Sequence, residues 1–311
     1  MTAHSSRSLS RSSSSRRWRV GVLGAGRVGA VLGAALSAAG HRVVAASGVS
    51  AASLARIAAL LPGVPALTPH QLVETADLVL LAVPDDALGP LVAGLAEVHA
   101  FRAGQVVVQT SGAHGLAVLA PAAARGARTL ALHPAMTFTG EARDLDRLAA
   151  GISFGVTADP ADRALATRLV ADLGGSVEWI DEQARPLYHA ALAHGANHLV
   201  TLTNEALDLL RDAGVRYPER VLGPLLRAAL ENTLERGDAA LTGPVSRGDA
   251  GTVGRHLAAL RRAAPESVGA YLALARRTAD RAIDAGRLRL VDAEPLLGVL
   301  AGDASTVELR P

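Results

Sequence analysis

Three features of the sequence predict an α/β fold, in which a doubly wound, mainly parallel sheet is followed by an all-helical C-terminal domain. The first is a glycine-rich turn at residues 24–29, between a short apolar segment and an alanine-rich one. The second is the alternation of short apolar runs with helical segments as far as residue 180. The third is the change to purely helical periodicity after that residue. With 311 residues, the chain is long enough for two domains with separate cores.

The glycine-rich turn has the spacing GxGxxG and lies between a predicted strand at residues 18–23 and a predicted helix at residues 30–39. Its six residues are Gly24, Ala25, Gly26, Arg27, Val28 and Gly29. The first glycine allows a tight turn, the second lets a pyrophosphate approach the backbone, and the third lets the helix pack on the strand. The helix N-terminus adds free N–H groups for the phosphates. In this context the motif predicts a Rossmann dinucleotide-binding domain over residues 18–180; the alternative is a glycine turn that binds nothing.

The second predicted strand, at residues 41–47, ends at a residue that indicates the cofactor. Ser47 stands where an NAD-selective site has an Asp or Glu that binds the ribose 2′-hydroxyl. A carboxylate would repel a 2′-phosphate, whereas Ser47, Ser50 and a nearby Arg27 or Arg56 could bind one. The sequence therefore favours NADP over NAD.

Further alternating elements complete the predicted sheet. Strands are predicted at residues 77–83, 105–110, 128–132, 152–157 and 177–180, and helices at residues 51–61, 84–95 and 160–173. Ligands of such sheets bind beyond the carboxyl ends of the strands. The residues expected beside a nicotinamide are therefore Val83, Pro84, Ser111 and His133.

Residues 181–300 are predicted to form a helical domain for substrate binding and dimerisation. Helices are expected at residues 181–213, 218–236, 250–263 and 265–285, with one more short turn beyond residue 287. On the first of them, His189, Ala193, Asn197 and Thr201 recur every four residues, so they form a polar or small stripe. The stripe could face the cofactor, or it could simply be exposed to solvent.

Five residues are candidates for the chemistry of the site. His133 or His189 could donate a proton to a carbonyl that is being reduced, because the pKa of histidine lies near neutrality. Ser111 could bind the substrate or the nicotinamide amide. Asn197 could orient the carbonyl, and Arg247, in a turn-rich loop, could hold a carboxylate. Each has a structural alternative, such as a hydrogen bond to a neighbouring loop for His133 or an ion pair for Arg247.

The composition excludes several classes of function. A formal net charge of +2 indicates no nucleic-acid partner, and no apolar run is long enough to span a bilayer. The absence of cysteine excludes disulfides, thiolate nucleophiles and cysteine-based zinc sites. His194 and His198 have a spacing that can hold a metal, but no third ligand is apparent, so no metal is expected.

The N-terminal segment, residues 1–17, is rich in serine and arginine and has no aliphatic periodicity. It is expected to be a disordered leader outside the fold, and an RNA-binding or phosphorylated tail is the less favoured interpretation. It lacks the apolar region of a secretory signal, so a cytoplasmic location is expected.

Five further segments combine with the glycine motif in one recognisable order: DLVLLAVPDDAL, QTSGAHG, LALHPAMTF, YHAALAHGANHLV and LTGPVSRGDAGTVGRHLAAL. From Trp18 to Ala285 the chain resembles the Rossmann-like NADP oxidoreductases that carry a C-terminal helical domain of unknown function. The wider superfamily includes ketopantoate reductases, pyrroline-5-carboxylate reductases and 3-hydroxyisobutyrate dehydrogenases.

This resemblance implies an NADPH-dependent reductase of a small oxo acid, with 2-dehydropantoate (ketopantoate) as the best single substrate, and a homodimer formed through the helical domain. The alternatives are an imine reductase of the pyrroline-5-carboxylate type and a non-catalytic NADP-binding or sensing protein. The non-catalytic alternative is favoured by the absence of lysine from the chain, because a lysine donates the proton in related dehydrogenases.

Overall fold

The structure is a computed structural model that describes residues 17–302. The chain divides into two compact units, Met1–His194 and Gly195–Pro311. The sequence placed the boundary earlier, at residue 180, whereas the structure keeps the first residues after the sheet in the first unit. The reason is that Glu182 and Arg185 bind loops and strands of that unit. Apart from Arg17, the predicted leader lies outside the described residues.

The first unit is built on one seven-stranded sheet in the order β2-β1-β3-β4-β5-β6-β7. The strands are β1 (Arg19–Leu23), β2 (Arg42–Ser47), β3 (Leu78–Leu81), β4 (Val106–Gln109), β5 (Arg128–Pro134), β6 (Ser153–Ala158) and β7 (Ser176–Trp179). The first five strands are parallel, β6 is antiparallel to β5, and β7 is parallel to β6. The predicted doubly wound, mainly parallel sheet is confirmed, and the strands that precede the candidate site end at one edge.

Helices cover both faces of the sheet. In the first unit they are α1 (Arg27–Ala38), α2 (Ala51–Leu60), α3 (Pro69–Thr75), α4 (Asp85–Glu97), α5 (Ala120–Ala123), α6 (Arg143–Ala149), α7 (Arg163–Asp172) and α8 (Arg185–Leu192). Leu78 and Leu80 of β3 belong to one apolar core, and Val79 and Leu81 belong to the other. Because both faces of this strand are buried, it reads in sequence as an uninterrupted apolar run.

The second unit is helical, as predicted. Its helices are α9 (His198–Asp212), α10 (Pro218–Arg236), α11 (Ala250–Ala263), α12 (Val268–Asp284) and α13 (Leu290–Ala301). The core lies among α11, α12 and α13 and includes Val253, Leu257 and Leu296. The short turn predicted beyond residue 287 is instead the helix α13, since Ala293, Leu296 and Leu300 are buried.

The predicted helix over residues 181–213 is not continuous. A short 3₁₀ turn at Glu182–Ala184 precedes α8, and a π-helical turn at Ala193–Asn197 separates α8 from α9. A π turn accommodates one residue more than an α turn. The even four-residue spacing that the sequence assigned to the stripe is therefore broken between His189 and Thr201.

Candidate active site

Two glycines of the GAGRVG turn are required by the backbone. Gly24 has a φ of +94°, and a Cβ atom there would lie 2.6 Å from the carbonyl oxygen of Ala82. A Cβ atom on Gly29 would lie only 2.2 Å from the carbonyl oxygen of Gly24. The turn is tied to the end of β2, because the amides of Gly24 and Ala25 donate to the Ser47 carbonyl over 3.1 and 2.7 Å. These contacts close the turn between β1 and α1.

The middle glycine is not required by the backbone. Gly26 has a φ of −75°, and no atom lies within 4 Å of the position that a Cβ would occupy. It is the N-cap of α1, and no side chain caps that helix end. The first turn of α1 is therefore not capped by a side chain, and open space adjoins its N-cap residue, an arrangement that suits a phosphate.

Two arginines that the sequence predicts as phosphate ligands, Arg27 and Arg56, both lie beside the loop that contains Gly140. A Cβ atom on Gly140 would lie 2.7 Å from Nε of Arg56 and 3.1 Å from Cγ of Arg27. Ser47 is buried, while the Ser50 hydroxyl accepts the Ser53 amide over 3.1 Å and caps α2. The two guanidinium groups and the absence of a carboxylate at the end of β2 make this region able to bind a phosphate.

A buried carboxylate, which sequence reasoning missed, holds that loop. Asp144 is fully buried and accepts the amides of Thr139 and Gly140 over 2.7 and 2.8 Å, as well as the Thr139 hydroxyl over 3.1 Å. Burial alone would raise the pKa of Asp144, but these hydrogen bonds outweigh it and leave the pKa below its ordinary value. Several of its neighbours in sequence, such as Arg143, Asp146 and Arg147, are also charged, so no local signal identified it.

The loop after β4 is held rigidly at the carboxyl edge of the sheet. Gln109, fully buried, accepts the Ser111 amide and donates to the His114 carbonyl over 2.5 and 2.6 Å. The Ser111 hydroxyl accepts the amides of Ala113 and His114 over 3.1 and 3.2 Å. The Ser111 hydroxyl can therefore still donate its own proton to a ligand, which is compatible with the predicted hydrogen bond from Ser111 to the substrate or the nicotinamide amide.

The structure brings three of the predicted residues together at this edge. The imidazole rings of His133 and His189 lie 6.1 Å apart between centroids. A Cβ atom on Gly112, the residue after Ser111, would lie 2.7 Å from Cδ2 of His189 and 3.0 Å from Nε2 of His133. The glycine therefore leaves the space in which both rings lie beside the loop.

The electrostatics of His133 differ from the sequence expectation of a group that titrates near neutrality. Burial, the neighbouring His189 and the positive charge of Arg185 lower the pKa of His133 to about 4, although Asp85 acts in the opposite direction. Its imidazole is therefore neutral at pH 7 and is not a cationic acid.

Arg185, the second residue that sequence reasoning missed, joins two strands, β5 and β6, to the loop after β4. It is fully buried, and it donates to the carbonyl oxygens of Ser111, Ala131 and Gly155 over 3.3, 3.1 and 3.0 Å. It also donates to the Thr157 hydroxyl over 2.8 Å. An arginine at the start of a helix is usually solvated, so no local pattern indicated that this one lies in the core.

Tyr188, one turn after Arg185, was also missed. Its hydroxyl lies 2.9 Å from Nδ1 of His133. Burial raises the pKa of Tyr188, whereas Arg185 and the neighbouring Gly155 backbone act against this rise. Only its position before His189 could have drawn attention to it.

The other two predicted residues belong to the second unit. Asn197 is an exposed residue of the π-helical turn, and Arg247 is an exposed residue of the 3₁₀ turn Val245–Arg247. Their roles stay predictions. Within residues 17–302, no group of three or more metal-binding side chains occurs, and no helix is long and apolar enough to cross a membrane.

The fold and the glycine turn together define a Rossmann-like domain followed by a separate helical domain. Comparison with protein families identifies both parts: residues 4–134 match the Rossmann-like domain, and residues 152–278 match the domain of unknown function DUF2520. The chain therefore combines a Rossmann-like domain with a C-terminal DUF2520 domain, as the sequence motifs implied. No protein of curated function matches it.

Three solved structures illustrate the shared fold. A candidate NADP oxidoreductase of Bacteroides fragilis is 23% identical, with a TM-score of 0.73 over 85% of this chain and 98% of that one. An imine reductase of Myxococcus stipitatus in complex with NADP+ is 19% identical, with a TM-score of 0.60 over 86% and 95%. A pyrroline carboxylate reductase of Plasmodium falciparum with NADP bound is 11% identical, with a TM-score of 0.55 over 90% and 98%. At these identities the likeness concerns the fold.

Proposed function

We propose that the protein is an NADPH-dependent reductase of a small oxo acid. The observation that carries the proposal is that one sheet edge combines an open phosphate turn at Gly26 with the rigid Ser111 loop and the histidine cluster. Dinucleotides bind across this edge in doubly wound folds, with the phosphates at the first turn.

The proposed cofactor site uses three groups of residues. The backbone of residues 24–29 binds the pyrophosphate, while Arg27, Arg56 and Ser47 select the 2′-phosphate of NADP. Val83, Pro84 and Ser111 border the nicotinamide. The open space at Gly26 and the shared position of the two arginines beside Gly140 support this assignment.

A bound, reduced nicotinamide supplies a hydride to the substrate. The chain must then bind the substrate carboxylate, orient the reacting carbonyl and provide a proton. We assign carboxylate binding to Arg247 and carbonyl orientation to Asn197. The proton comes from the cluster around His133 and His189, because the chain has no lysine to donate it.

The best single substrate is 2-dehydropantoate, which combines a carboxylate with an adjacent carbonyl. An imine of the pyrroline-5-carboxylate type is the second candidate. It is favoured by the similarity in fold to an imine reductase and to a pyrroline carboxylate reductase.

The test is NADPH consumption with 2-dehydropantoate, other short 2-oxo acids and pyrroline-5-carboxylate, combined with a titration of NADPH and NADH in the absence of substrate. Turnover of an oxo acid supports the proposal. Turnover of the imine alone indicates that the substrate is an imine and not an oxo acid. Tight NADPH binding without any turnover indicates the non-catalytic NADP-binding protein. The variant Gly26→Glu, which places a side chain and a negative charge in the phosphate turn, is the matched control for cofactor-dependent signals.

We also propose a homodimer formed through the helical domain. Leu225 and Leu234 of α10 are 64% and 79% exposed, although both are large and apolar. The same unit has an apolar groove of about 380 Å³ whose lining includes Leu209, Leu260 and Leu274. A second copy of α10 has the chemistry to fill such a groove. Light scattering should give a dimeric mass, and Leu225→Glu with Leu234→Glu should give a monomeric one; a monomeric wild type would contradict the proposal.

A further inference from the structure

The proton source of the site is the question that the geometry answers most specifically. His133 is neutral at pH 7, so it cannot simply give up the proton of an imidazolium ion. A neutral imidazole can pass on a proton from one nitrogen only if its other nitrogen receives one, since the imidazolate is too basic to form. The partner of that other nitrogen therefore decides whether His133 can act.

The two ring nitrogens of His133 have different surroundings. Nδ1 lies 2.9 Å from the Tyr188 hydroxyl. Nε2 has no hydrogen-bond partner within the described part of the chain, yet every buried side-chain N or O atom there has one. Nε2 must therefore be accessible, and it lies beside Gly112 at the carboxyl edge of the sheet.

The position of Tyr188 indicates the direction of its hydrogen bond. Gly155 lies directly opposite His133 in the β5–β6 pair, and a Cβ atom there would lie 2.5 Å from the Tyr188 hydroxyl oxygen. Among the described residues, the Tyr188 hydroxyl has one hydrogen-bond partner, which is Nδ1 of His133. Nδ1 is therefore the acceptor available for the hydroxyl proton, and the imidazole proton then lies on Nε2.

We propose that Tyr188 and His133 form a proton relay to the substrate oxygen, with Tyr188 acting through His133. This inference rests on the proposed reductase function. When the substrate carbonyl has accepted a hydride, its oxygen takes the proton from Nε2 of His133, and the N–H bond breaks. Nδ1 takes the proton of the Tyr188 hydroxyl at the same time, so the imidazole remains neutral. The tyrosinate left behind regains a proton from water.

The buried Arg185 provides the charge that this step needs. It binds four oxygen atoms, none of which belongs to a carboxylate, so no ion pair within the described part of the chain neutralises its positive charge, although the charge of Glu182 acts on it electrostatically. It also donates to the Gly155 carbonyl, on the strand that contacts Tyr188. A transient tyrosinate would form beside this fixed cation and would be stabilised by it.

The first test is the tautomer of His133, measured on the full chain without cofactor. A long-range ¹H–¹⁵N spectrum of the ¹⁵N-labelled protein, assigned with His133→Gln, should show the proton on Nε2 and a hydrogen-bonded Nδ1. Tyr188→Phe should move the Nδ1 signal towards that of an unbonded nitrogen. A proton on Nδ1 of the wild type would overturn the relay, whatever the enzyme does.

The second test is kinetic and uses a matched control. Tyr188→Phe should lower kcat by about a hundredfold, a typical loss for a proton donor, while KM and the NADPH Kd stay within twofold of wild type. Tyr271→Phe removes the same hydroxyl from a second pair, in which it lies 2.9 Å from Nδ1 of His256. This control should keep its rate and change only the signals of His256.

The outcomes separate the two proposals. Wild-type turnover by Tyr188→Phe overturns the relay and leaves the reductase proposal intact. A wild-type protein that reduces no substrate in the panel overturns the reductase proposal, and the catalytic role of the relay with it. The expected tautomer together with a slow Tyr188→Phe enzyme supports both.

Discussion

The two glycines Gly26 and Gly29 of the same motif should have different roles, and single alanine substitutions can separate them. A Cβ atom on Gly29 would lie 2.2 Å from a backbone oxygen and 3.0 Å from the Cβ of Ala82. Overpacking of this kind typically costs about 1–3 kcal/mol, and a backbone contact, which cannot rotate away, places Gly29→Ala near the upper end. For a unit of this size, about 3 kcal/mol corresponds to a fall in Tm of roughly 6–12 °C.

Gly26→Ala should show the opposite behaviour. The position has open space and a φ of −75°, which alanine adopts readily. Glycine is a better N-cap than alanine, so the exchange should cost about 1 kcal/mol and lower Tm by about 2–4 °C, well below the fall expected for Gly29→Ala. The added methyl group lies where the pyrophosphate must approach, so NADPH binding should weaken at least about tenfold, which is 1.4 kcal/mol.

The wild type and both variants are compared in two measurements. Thermal unfolding without cofactor gives Tm, and a fluorescence titration with NADPH gives its Kd. Binding of NADPH to Gly26→Ala with the wild-type Kd would show that the pyrophosphate does not lie at this turn. A fall in Tm for Gly26→Ala as large as that for Gly29→Ala would refute the separation of roles.

Three further predictions concern the cofactor, the loop beside it and the substrate. Ser47→Asp should lower the ratio of NADPH to NADH affinity by at least about tenfold, because a carboxylate repels the 2′-phosphate; equal affinities in the wild type would contradict the assignment. Asp144→Asn should lower the free energy of unfolding at pH 7 by about 1–3 kcal/mol, since it weakens three hydrogen bonds to a buried carboxylate. Because the pKa of Asp144 is lowered by folding, this stabilisation is present above the ordinary pKa of 3.8 and is lost as the pH falls through the folded value, so urea unfolding should give a smaller difference at pH 3 than at pH 7. Asn197→Ala should lower kcat about a hundredfold with NADPH binding intact, whereas Arg247→Ala should raise KM. Wild-type kinetics for both variants would place substrate recognition elsewhere.

Periodicity and turn chemistry were enough to predict most of the fold. The helices at residues 218–236 and 250–263 have the predicted bounds, because Pro218 begins one and Gly237 ends it, while Asp249 caps the other. Three short helices, α3, α5 and α6, were not predicted. They have seven, four and seven residues, too few to establish a 3.6-residue period.

The candidate site was predicted in outline. The glycine turn and the residues at the ends of β3, β4 and β5 were predicted because ligands of such sheets bind at the carboxyl ends of the strands. The structure places His133, His189 and the Ser111 loop together. Arg185, Tyr188 and Asp144 were missed. Arg185 and Asp144 are buried and Tyr188 is half-buried, and a linear sequence does not show which of its polar residues are removed from solvent.

By itself, the sequence determined the order of strands and helices along the chain and the position of the glycine-rich turn, because these depend on residues close together in the chain. Only the tertiary structure decided the protonation of the site. His133 and Tyr188 are far apart in sequence, and they meet because β5, β6 and α8 are joined by the buried guanidinium of Arg185. The same packing lowers the pKa of His133 to about 4. Desolvation and nearby charge depend on three-dimensional surroundings, and these arise only when distant segments pack against one another.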